Sequence, residues 1–187
     1  MIIGLTGYAQ SGKDEVAKIL VEKYGFERRA FADNIRHMLY ELNPMVNGEP
    51  LQIRIDVEGW DKAKQHPEVR RLLQVLGVSA RNHLGEEVWI NAFLYSLDME
   101  KNYVISDVRF ENEAIAIKHC SYQGVVKIPG EIWRIERPGV GPVNNHVSEK
   151  GVENISADRT LLNSGTLEDL EVLVKIRLDS CLANQTS

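Results

Sequence analysis

The sequence is poor in cysteine and contains no long hydrophobic run. Its two cysteines, Cys120 and Cys181, have neither CxxC spacing nor neighbours that would complete a zinc site, so both are expected to be reduced core thiols. The N-terminus lacks a basic segment, and its apolar run is too short for a signal peptide or a membrane span. Internal repeats and low-complexity tracts are missing too. These absences predict a cytoplasmic protein that makes no membrane contact.

Positive charge is also in the minority: the chain has 22 Lys and Arg residues against 27 Asp and Glu residues, which gives a formal net charge of −5. An acidic balance argues against a broad nucleic-acid-binding surface, although single arginines can still bind isolated phosphates. The chain has 187 residues, of which 43% are hydrophobic, and this suffices for a substantial core without disulfides or metals. We therefore expect one domain over residues 1–187 that does not bind nucleic acid.

The most informative segment is the run GYAQSGKD at residues 7–14. It lies between an apolar run at residues 2–5, predicted to be a strand, and a predicted helix over residues 15–23. This is the context that a phosphate-binding P-loop requires, in which glycines and a helix N-terminus direct N–H groups at phosphate oxygens. An ordinary glycine-rich turn is the alternative. The predicted ATP-binding residues here are Gly7, Ala9, Gln10, Ser11, Gly12, Lys13, Asp14 and Glu15, with Lys13 bridging the outer phosphates.

Asp14 stands where a P-loop normally has serine or threonine, whose hydroxyl binds Mg²⁺ beside the β- and γ-phosphates. A carboxylate that faces phosphate is tolerable only with a cation between them, or when it turns away. Because Mg²⁺ prefers carboxylate oxygens, the position favours Asp14 as a metal ligand, directly or through water. The alternative is a first-turn aspartate that complements the helix dipole.

Downstream of the P-loop, apolar runs alternate with amphipathic segments, which is typical of an α/β fold with a mostly parallel sheet. Strands are predicted over residues 26–31 and 103–106 and within 125–137, whereas residues 43–66 look like a mobile insertion. Helices are predicted to start near Asp33, Pro67, Glu86 and Thr166, the last with a capping box to Asp169. Their predicted buried positions include Ile35, Met38, Leu39, Leu42, Val69, Leu72, Leu73, Leu76, Leu167, Leu170, Leu173 and Val174.

Asp107 follows the strand predicted over residues 103–106, and the carboxyl end of a parallel strand presents groups to ligands. With a P-loop upstream, Asp107 becomes a candidate for the second acidic group of a Mg²⁺–phosphate site. Arg109 is either its salt-bridge partner or a fork for a substrate phosphate. Arg36 and Arg81 also have two possible roles: each can bind a substrate phosphate, or be only a solvated surface charge, as a helix arginine often is.

Together these residues resemble the bacteriophage-type deoxynucleoside monophosphate kinases, P-loop kinases that are also similar to the animal-type phosphomevalonate kinases. The resemblance covers most of the chain in family order. It departs at Glu15, where a small hydroxyl residue is common, and at residues 122–130, which look like an insertion. The motifs that carry it are GxxxxGKD at 7–14, FAD at 31–33 with Arg36, LQxxG at 73–77 with Arg81 and Trp89, SDVRFxNE at 106–113, RP at 137–138, HxSE at 146–149 and NxGT at 163–166.

The resemblance implies a three-layer P-loop kinase fold that transfers the γ-phosphoryl group of ATP to a (deoxy)nucleoside 5′-monophosphate, with Mg²⁺ at Asp14 and Asp107. Such a reaction needs mainly positioning and charge neutralisation, so the lack of an obvious catalytic Ser or His arrangement is expected. Residues 33–97 would bind the acceptor and residues 137–150 would form a lid. The implied catalytic residues are Lys13, Asp14, Arg109 and Arg137.

Further roles follow from the same resemblance. Arg137 would close on the transferring phosphoryl, unless its charge is merely solvated, and His146 is expected to be a structural residue. Asn163 would line the adenine pocket of ATP. Trp89 would stack on the acceptor base, although core packing explains it equally well. The implied acceptor-binding residues are Asp33, Arg36, Gln74, Arg81, Trp89, Asp107 and Arg109.

Two other functions remain open. A different P-loop kinase, with a phosphomevalonate-like or dephospho-coenzyme A-like acceptor, would share the loop but need another pocket. A non-catalytic nucleotide switch is disfavoured by the arginines outside the loop, since a switch has no second phosphate to bind. The expected partners are small-molecule nucleotides, with a homodimer expected on resemblance alone and the host cytoplasm as location if the protein is phage-encoded.

Overall fold

The computed structural model describes residues 1–98, 100–122, 126–127, 129–141 and 147–185. The chain divides into two compact units. The first unit consists of Met1–Ala30 and Leu97–Ser187, and the second unit of Phe31–Ser96. In chain order the elements are β1 (Ile2–Thr6), α1 (Lys13–Tyr24), β2 (Glu27–Arg29), α2 (Ala32–Leu42), β3 (Met45–Val46), β4 (Glu49–Pro50), α3 (Leu51–Ala63), α4 (Pro67–Leu84), α5 (Val88–Tyr95), β5 (Tyr103–Ile105), α6 (Glu111–Lys118), β6 (Ser121–Tyr122), β7 (Val126–Lys127), β8 (Gly130–Glu136), α7 (Val147–Asn154), β9 (Arg159–Leu162) and α8 (Leu167–Gln185).

The first unit is built on a five-stranded sheet with the order β2-β5-β1-β8-β9. Every neighbouring pair in it is parallel. Parallel strands need crossover connections, and the long segments between these strands supply them, several as helices. All five carboxyl ends therefore lie at one edge of the sheet, where open α/β sheets present their ligand-binding loops.

Helices cover both faces of this sheet. On one face, Ile3, Leu5 and Trp133 pack with residues of α1 and α8 in a single buried cluster. On the other face the backbone of β1 comes close to its neighbours, because a side chain at Gly4 would lie 2.7 Å from Ile132 and 2.8 Å from Ile117 of α6. The predicted α/β fold, with a mostly parallel sheet between layers of helices, is confirmed. None of the helices in the described part of the chain is long and apolar enough to cross a membrane.

The second unit is mainly helical, with its own core around Leu39, Leu51 and Val69. The prediction of a mobile insertion over residues 43–66 was wrong, since these residues form the β3–β4 hairpin and helix α3. Gly59, at φ 73°, kinks α3. The apolar residues before this kink, Leu51, Ile53, Ile55 and Val57, alternate at every second position, which is not the helical period that would have identified α3 from the sequence.

Some predicted helix faces and elements also differ from the structure. Met38, Leu42 and Leu167 are exposed rather than buried, because the apolar stripes of α2 and α8 exceed the face that packs. Strand β9 and helix α6, which no pattern predicted, are short elements of four and eight residues. The predicted capping box is confirmed, since the Asp169 carboxylate accepts from the Thr166 N–H at 2.9 Å and the Asp169 N–H donates to the Thr166 hydroxyl at 3.2 Å.

A polar cluster around Glu131 joins β8, β9 and α8. The Glu131 carboxylate accepts hydrogen bonds from Arg159 Nε at 2.8 Å, Cys181 Sγ at 2.8 Å and Trp133 Nε1 at 3.1 Å. Burial by itself would raise the pKa of Glu131, but these donors lower it below its ordinary value. Burial and the neighbouring carboxylate raise the pKa of the Cys181 thiol to about 11, so this thiol stays protonated and donates. Cys181 and Cys120 are both free and buried.

The Glu131→Gln variant should be less stable than the parent at pH 7, by about 1–3 kcal/mol, because the half-buried Arg159 charge loses its partner. A carboxyl whose pKa is lowered in the folded state contributes stability above its unfolded value, near 4.5, and loses it as the pH falls through the folded value. The difference in the free energy of unfolding between the parent and the variant should therefore become smaller below about pH 4.5. Urea unfolding at pH 7 and pH 4 measures it, with the exposed Glu22→Gln as control. Equal losses for both variants at pH 7 would contradict this role of Glu131.

Candidate functional site

The loop between β1 and α1 has the tightly curled backbone that was predicted for residues 7–14. Gly7 lies at φ 140° and Gly12 at φ 104°. A side chain at Gly7 would clash with the Ile135 carbonyl of β8, and one at Gly12 with the amide of Asn163. That amide donates from Nδ2 to the Ser11 carbonyl at 2.9 Å. The chain that follows β9 therefore holds the loop from one side.

Lys13, the first residue of α1, has its ammonium group folded back onto the loop. Its Nζ donates to the Gly7 carbonyl at 2.7 Å and to the Tyr8 carbonyl at 2.6 Å. The charge is thus held at the loop rather than extended into solvent. An anion that binds to the loop N–H groups meets a cation already in place.

Ser11 contributes a buried hydroxyl to this site. The residue is 1% exposed, and among the described residues its Oγ has no hydrogen-bond partner. A buried donor without a partner is costly, and a ligand oxygen is one way to satisfy it. Ser11 and Gly7 line a cavity of about 220 Å³ together with Arg134 and Arg137 of the β8 end.

A second, smaller pocket joins the P-loop to the segment after β5. It is lined by Gly7, Ala9, Lys13, Ser106, Asp107, Val108, Arg109 and Val152. The P-loop and the segment after β5 lie side by side because β1 and β5 are adjacent parallel strands, and the loops that follow them leave the same edge of the sheet. The structure therefore brings together five of the predicted residues: Gly7, Ala9 and Lys13 of the loop with Asp107 and Arg109.

Glu113 fixes the segment that carries Arg109. This carboxylate is 4% exposed and accepts from the N–H groups of Arg109 at 2.9 Å and Phe110 at 3.2 Å. Gly151 of α7 packs closely on the Arg109 carbonyl, where a side chain would clash. The sequence pattern did not assign this role to Glu113, although its position three residues after Phe110 is the spacing of a helix-capping glutamate.

Arg137 is exposed at the end of β8, where it lines the 220 Å³ cavity. Arg134, which no motif indicated, lies half-buried on the same strand and donates to the Ile155 carbonyl. Of the predicted lid over residues 137–150, the structure describes residues 137–141 and the start of α7. His146 and most of the predicted mobile stretch 139–145 lie outside the described residues. On α7, Glu153 accepts a hydrogen bond from the Tyr8 hydroxyl of the P-loop.

Asp14 is largely exposed and forms an ion pair with Arg28 of β2. Arg28 also donates from Nε to the Ser106 hydroxyl at 3.1 Å. Glu15 and Gln10 are exposed, Gln10 with a positive φ of 66°. Within the described ranges, no group of three or more His, Cys, Asp or Glu side chains is arranged to hold a metal ion.

The other predicted acceptor-binding residues lie in the second unit. Asp33 and Arg36 form an ion pair at 2.9 Å on α2, while Arg81 is half-buried and Gln74 exposed on α4. Trp89 is only 3% exposed, and its indole N–H donates to the Gly77 carbonyl at 3.0 Å. A covered and hydrogen-bonded indole offers no face to a base, so the prediction that Trp89 stacks on the acceptor is corrected to core packing.

Comparison with known proteins points to one family. The model of the family described as deoxynucleotide monophosphate kinase matches residues 52–174. A protein of Acanthamoeba polyphaga mimivirus, named as a predicted deoxynucleotide monophosphate kinase, is 30% identical over 191 residues, which cover 90% of this chain and 91% of the relative.

Solved structures give a weaker likeness. Shikimate kinase from Aquifex aeolicus is 13% identical, with coverage of 99% of this chain and 98% of that chain and a TM-score of 0.47. Dephospho-CoA kinase from Campylobacter jejuni is 14% identical, with coverage of 96% of both chains and a TM-score of 0.47. The fold assignment depends on the sheet order above and not on these likenesses.

Gly12→Ala should weaken the ATP binding that is predicted for residues 7–14 by about tenfold or more, because the new methyl group meets the Asn163 amide and the backbone leaves its positive φ. Gly25→Ala is the matched control, since Gly25 also has a positive φ but open space around it. Calorimetric titration with ATP compares the two. If Gly12→Ala bound ATP as tightly as Gly25→Ala, the residues 7–14 would not form the nucleotide site.

Proposed function

This chain belongs to the deoxynucleotide monophosphate kinase family, and we propose that it transfers the γ-phosphoryl group of ATP to the 5′-phosphate of a (deoxy)nucleoside monophosphate. The observation that carries the proposal is the shared pocket of Lys13, Asp107 and Arg109. It joins a phosphate-binding loop to a second cation and a carboxylate. Phosphoryl transfer asks for this combination, since the enzyme mainly positions two phosphates and neutralises their charge.

The donor is proposed to bind along residues 7–14. The curled loop offers backbone N–H groups, Ser11 offers a buried hydroxyl, and Lys13 offers a charge already held at the loop. A triphosphate satisfies all three. We propose that Lys13 moves from the Gly7 and Tyr8 carbonyls to the outer phosphates when ATP binds.

Mg²⁺ is the cation that the family implies, and the residues present fit it. This ion keeps several waters and binds to proteins through one or two carboxylates together with phosphate oxygens, so it does not need a cluster of three acidic side chains. Asp14 beside the loop and Asp107 in the pocket of Lys13 would hold it. When bound, the ion supplies charge neutralisation at the phosphates. The carboxylates of Asp14 and Asp107 would orient the water molecules of the ion.

The acceptor monophosphate is proposed to be gripped by arginines. Arg109 is exposed, and its backbone is fixed by Glu113, so its guanidinium can form a bidentate contact from a rigid base. On α2 the ion pair with Asp33 orients Arg36 in advance. Arg81 and Gln74 complete the proposed set. The acceptor phosphate is itself the nucleophile, and no strong general base is required.

Arg137 is proposed to act late in the reaction. It is exposed where β8 ends, and it lines a cavity together with Gly7 and Ser11 of the donor loop. An arginine at such a position meets the charge of the transferring phosphoryl when the chain after β8 closes. Arg134, held by the Ile155 carbonyl, adds a second positive charge to the same cavity.

A coupled assay of ADP release across acceptors tests the proposed reaction. We expect ADP release with at least one deoxynucleoside monophosphate and none with phosphomevalonate or dephospho-coenzyme A. Lys13→Ala should release none with any acceptor while keeping the fold, because its ammonium group contacts the loop surface and not the core. Turnover of one of these other acceptors in place of the nucleoside monophosphates would contradict the proposed substrate, but the protein would still be a kinase. ATP binding without ADP release for any acceptor would support a switch instead.

Arg137→Ala should lower kcat by about 10³-fold while the affinities for ATP and monophosphate change little, because the arginine contributes mainly in the transition state. Steady-state kinetics together with calorimetry of each ligand separate these effects. Arg70→Ala, an exposed arginine of α4, is the control. A mutant that keeps most of its kcat would mean that the Arg137 charge is merely solvated.

A further inference from the structure

Arg28 has no role in the reaction as described so far, yet the sheet places it at the donor loop. Strand β2 pairs in parallel with β5, with Arg28 opposite Val104. This register sets Arg28 beside the carboxyl end of β5, where its Nε donates to the Ser106 hydroxyl at 3.1 Å. Its Nη2 forms the ion pair with Asp14. One guanidinium thus joins the P-loop aspartate to a residue that lines the pocket of Lys13.

The aspartate creates an electrostatic problem in this position. A P-loop gathers phosphate charge, and a carboxylate in its first helical turn repels that charge unless a cation stands near it. Lys13 donates to the carbonyls of Gly7 and Tyr8. Arg28 is the cation that contacts the Asp14 carboxylate in an ion pair. Because the guanidinium is a rigid planar fork, its second contact with Ser106 also fixes the direction from which it holds Asp14.

We propose that Arg28 is a positioning residue of the donor site: in the metal-free protein it neutralises Asp14 and holds its carboxylate on the β2 side of the loop, so that ATP phosphates can bind. The inference rests on the proposed binding of ATP to residues 7–14. An ion pair this exposed contributes little to folding stability. Its effect is therefore expected in phosphate binding and not in the melting temperature.

The neighbouring arginine on the same strand provides a matched control. Arg29 points to the other face of β2, where it pairs with Glu27 at 2.9 Å and lies 5.9 Å from the Tyr103 ring centroid. Arg29→Ala removes the same charge from the same strand without removing the partner of Asp14. A general loss of positive charge would weaken ATP binding equally in Arg28→Ala and Arg29→Ala.

The test is a double-mutant cycle on ATP affinity, measured by calorimetry in EDTA so that no divalent metal competes for Asp14. Arg28→Ala should weaken ATP binding by about five- to tenfold in the parent, and Arg29→Ala by less than about twofold. In the Asp14→Ser background, Arg28→Ala should have almost no effect, because no carboxylate remains to be neutralised. Arg28→Lys should recover part of the loss, since it keeps the charge but not the fork.

Each other outcome overturns the inference. A loss of the same size in the Asp14→Ser background would mean that Arg28 acts on ATP or on the loop independently of Asp14. No loss in the parent background would mean that the ion pair is a surface contact without a role. If the parent bound ATP neither in EDTA nor with Mg²⁺, the donor site itself would be wrongly assigned.

Discussion

The site depends on the parallel pairing of β1 with β5 on one side and with β8 on the other. This pairing sends the P-loop, the Asp107 segment and the Arg137 segment away from the same edge of the sheet. The sheet and the helix layer also lie close together, since a side chain at Gly130 of β8 would clash with the Ile117 carbonyl of α6. Small residues at such close approaches let the layers pack tightly enough to bring the loops within reach of one another.

Charge is distributed unevenly over the molecule. The chain has a formal net charge of −5, yet cationic side chains gather around the donor loop, where Lys13, Arg28, Arg134 and Arg137 lie with Arg109 in the adjoining pocket. The carboxylates of Asp14, Asp107 and Glu136 lie among them, so these cations act on a bound anion through direct contacts and not through an excess of local positive charge. Anionic substrates are thus compatible with an acidic protein.

The parts that the sequence predicted correctly depend on local chemistry. Two glycines and a lysine at fixed spacing predict the P-loop, and an apolar run before Asp107 predicts a strand that ends at a ligand-binding edge. The Asp14–Arg28 ion pair could not be predicted in this way, because it depends on which strand lies next to β5 in the sheet. Trp89 shows a different limit. From the sequence alone, a tryptophan on an apolar helix face can be either buried in the core or exposed to a ligand. The structure shows that Trp89 is buried, with its indole N–H bonded to the Gly77 carbonyl.

The bonds that Lys13 makes within its own loop have a consequence for how strongly the protein holds a nucleotide. Two loop carbonyls already accept hydrogen bonds from the ammonium group, so a phosphate that replaces them gains only the difference between the two sets of contacts. Such internal competition limits affinity without weakening the contacts in the bound state. When the phosphate leaves, the carbonyls of Gly7 and Tyr8 can accept from the ammonium group again, so the charge of Lys13 keeps hydrogen-bond partners in both states.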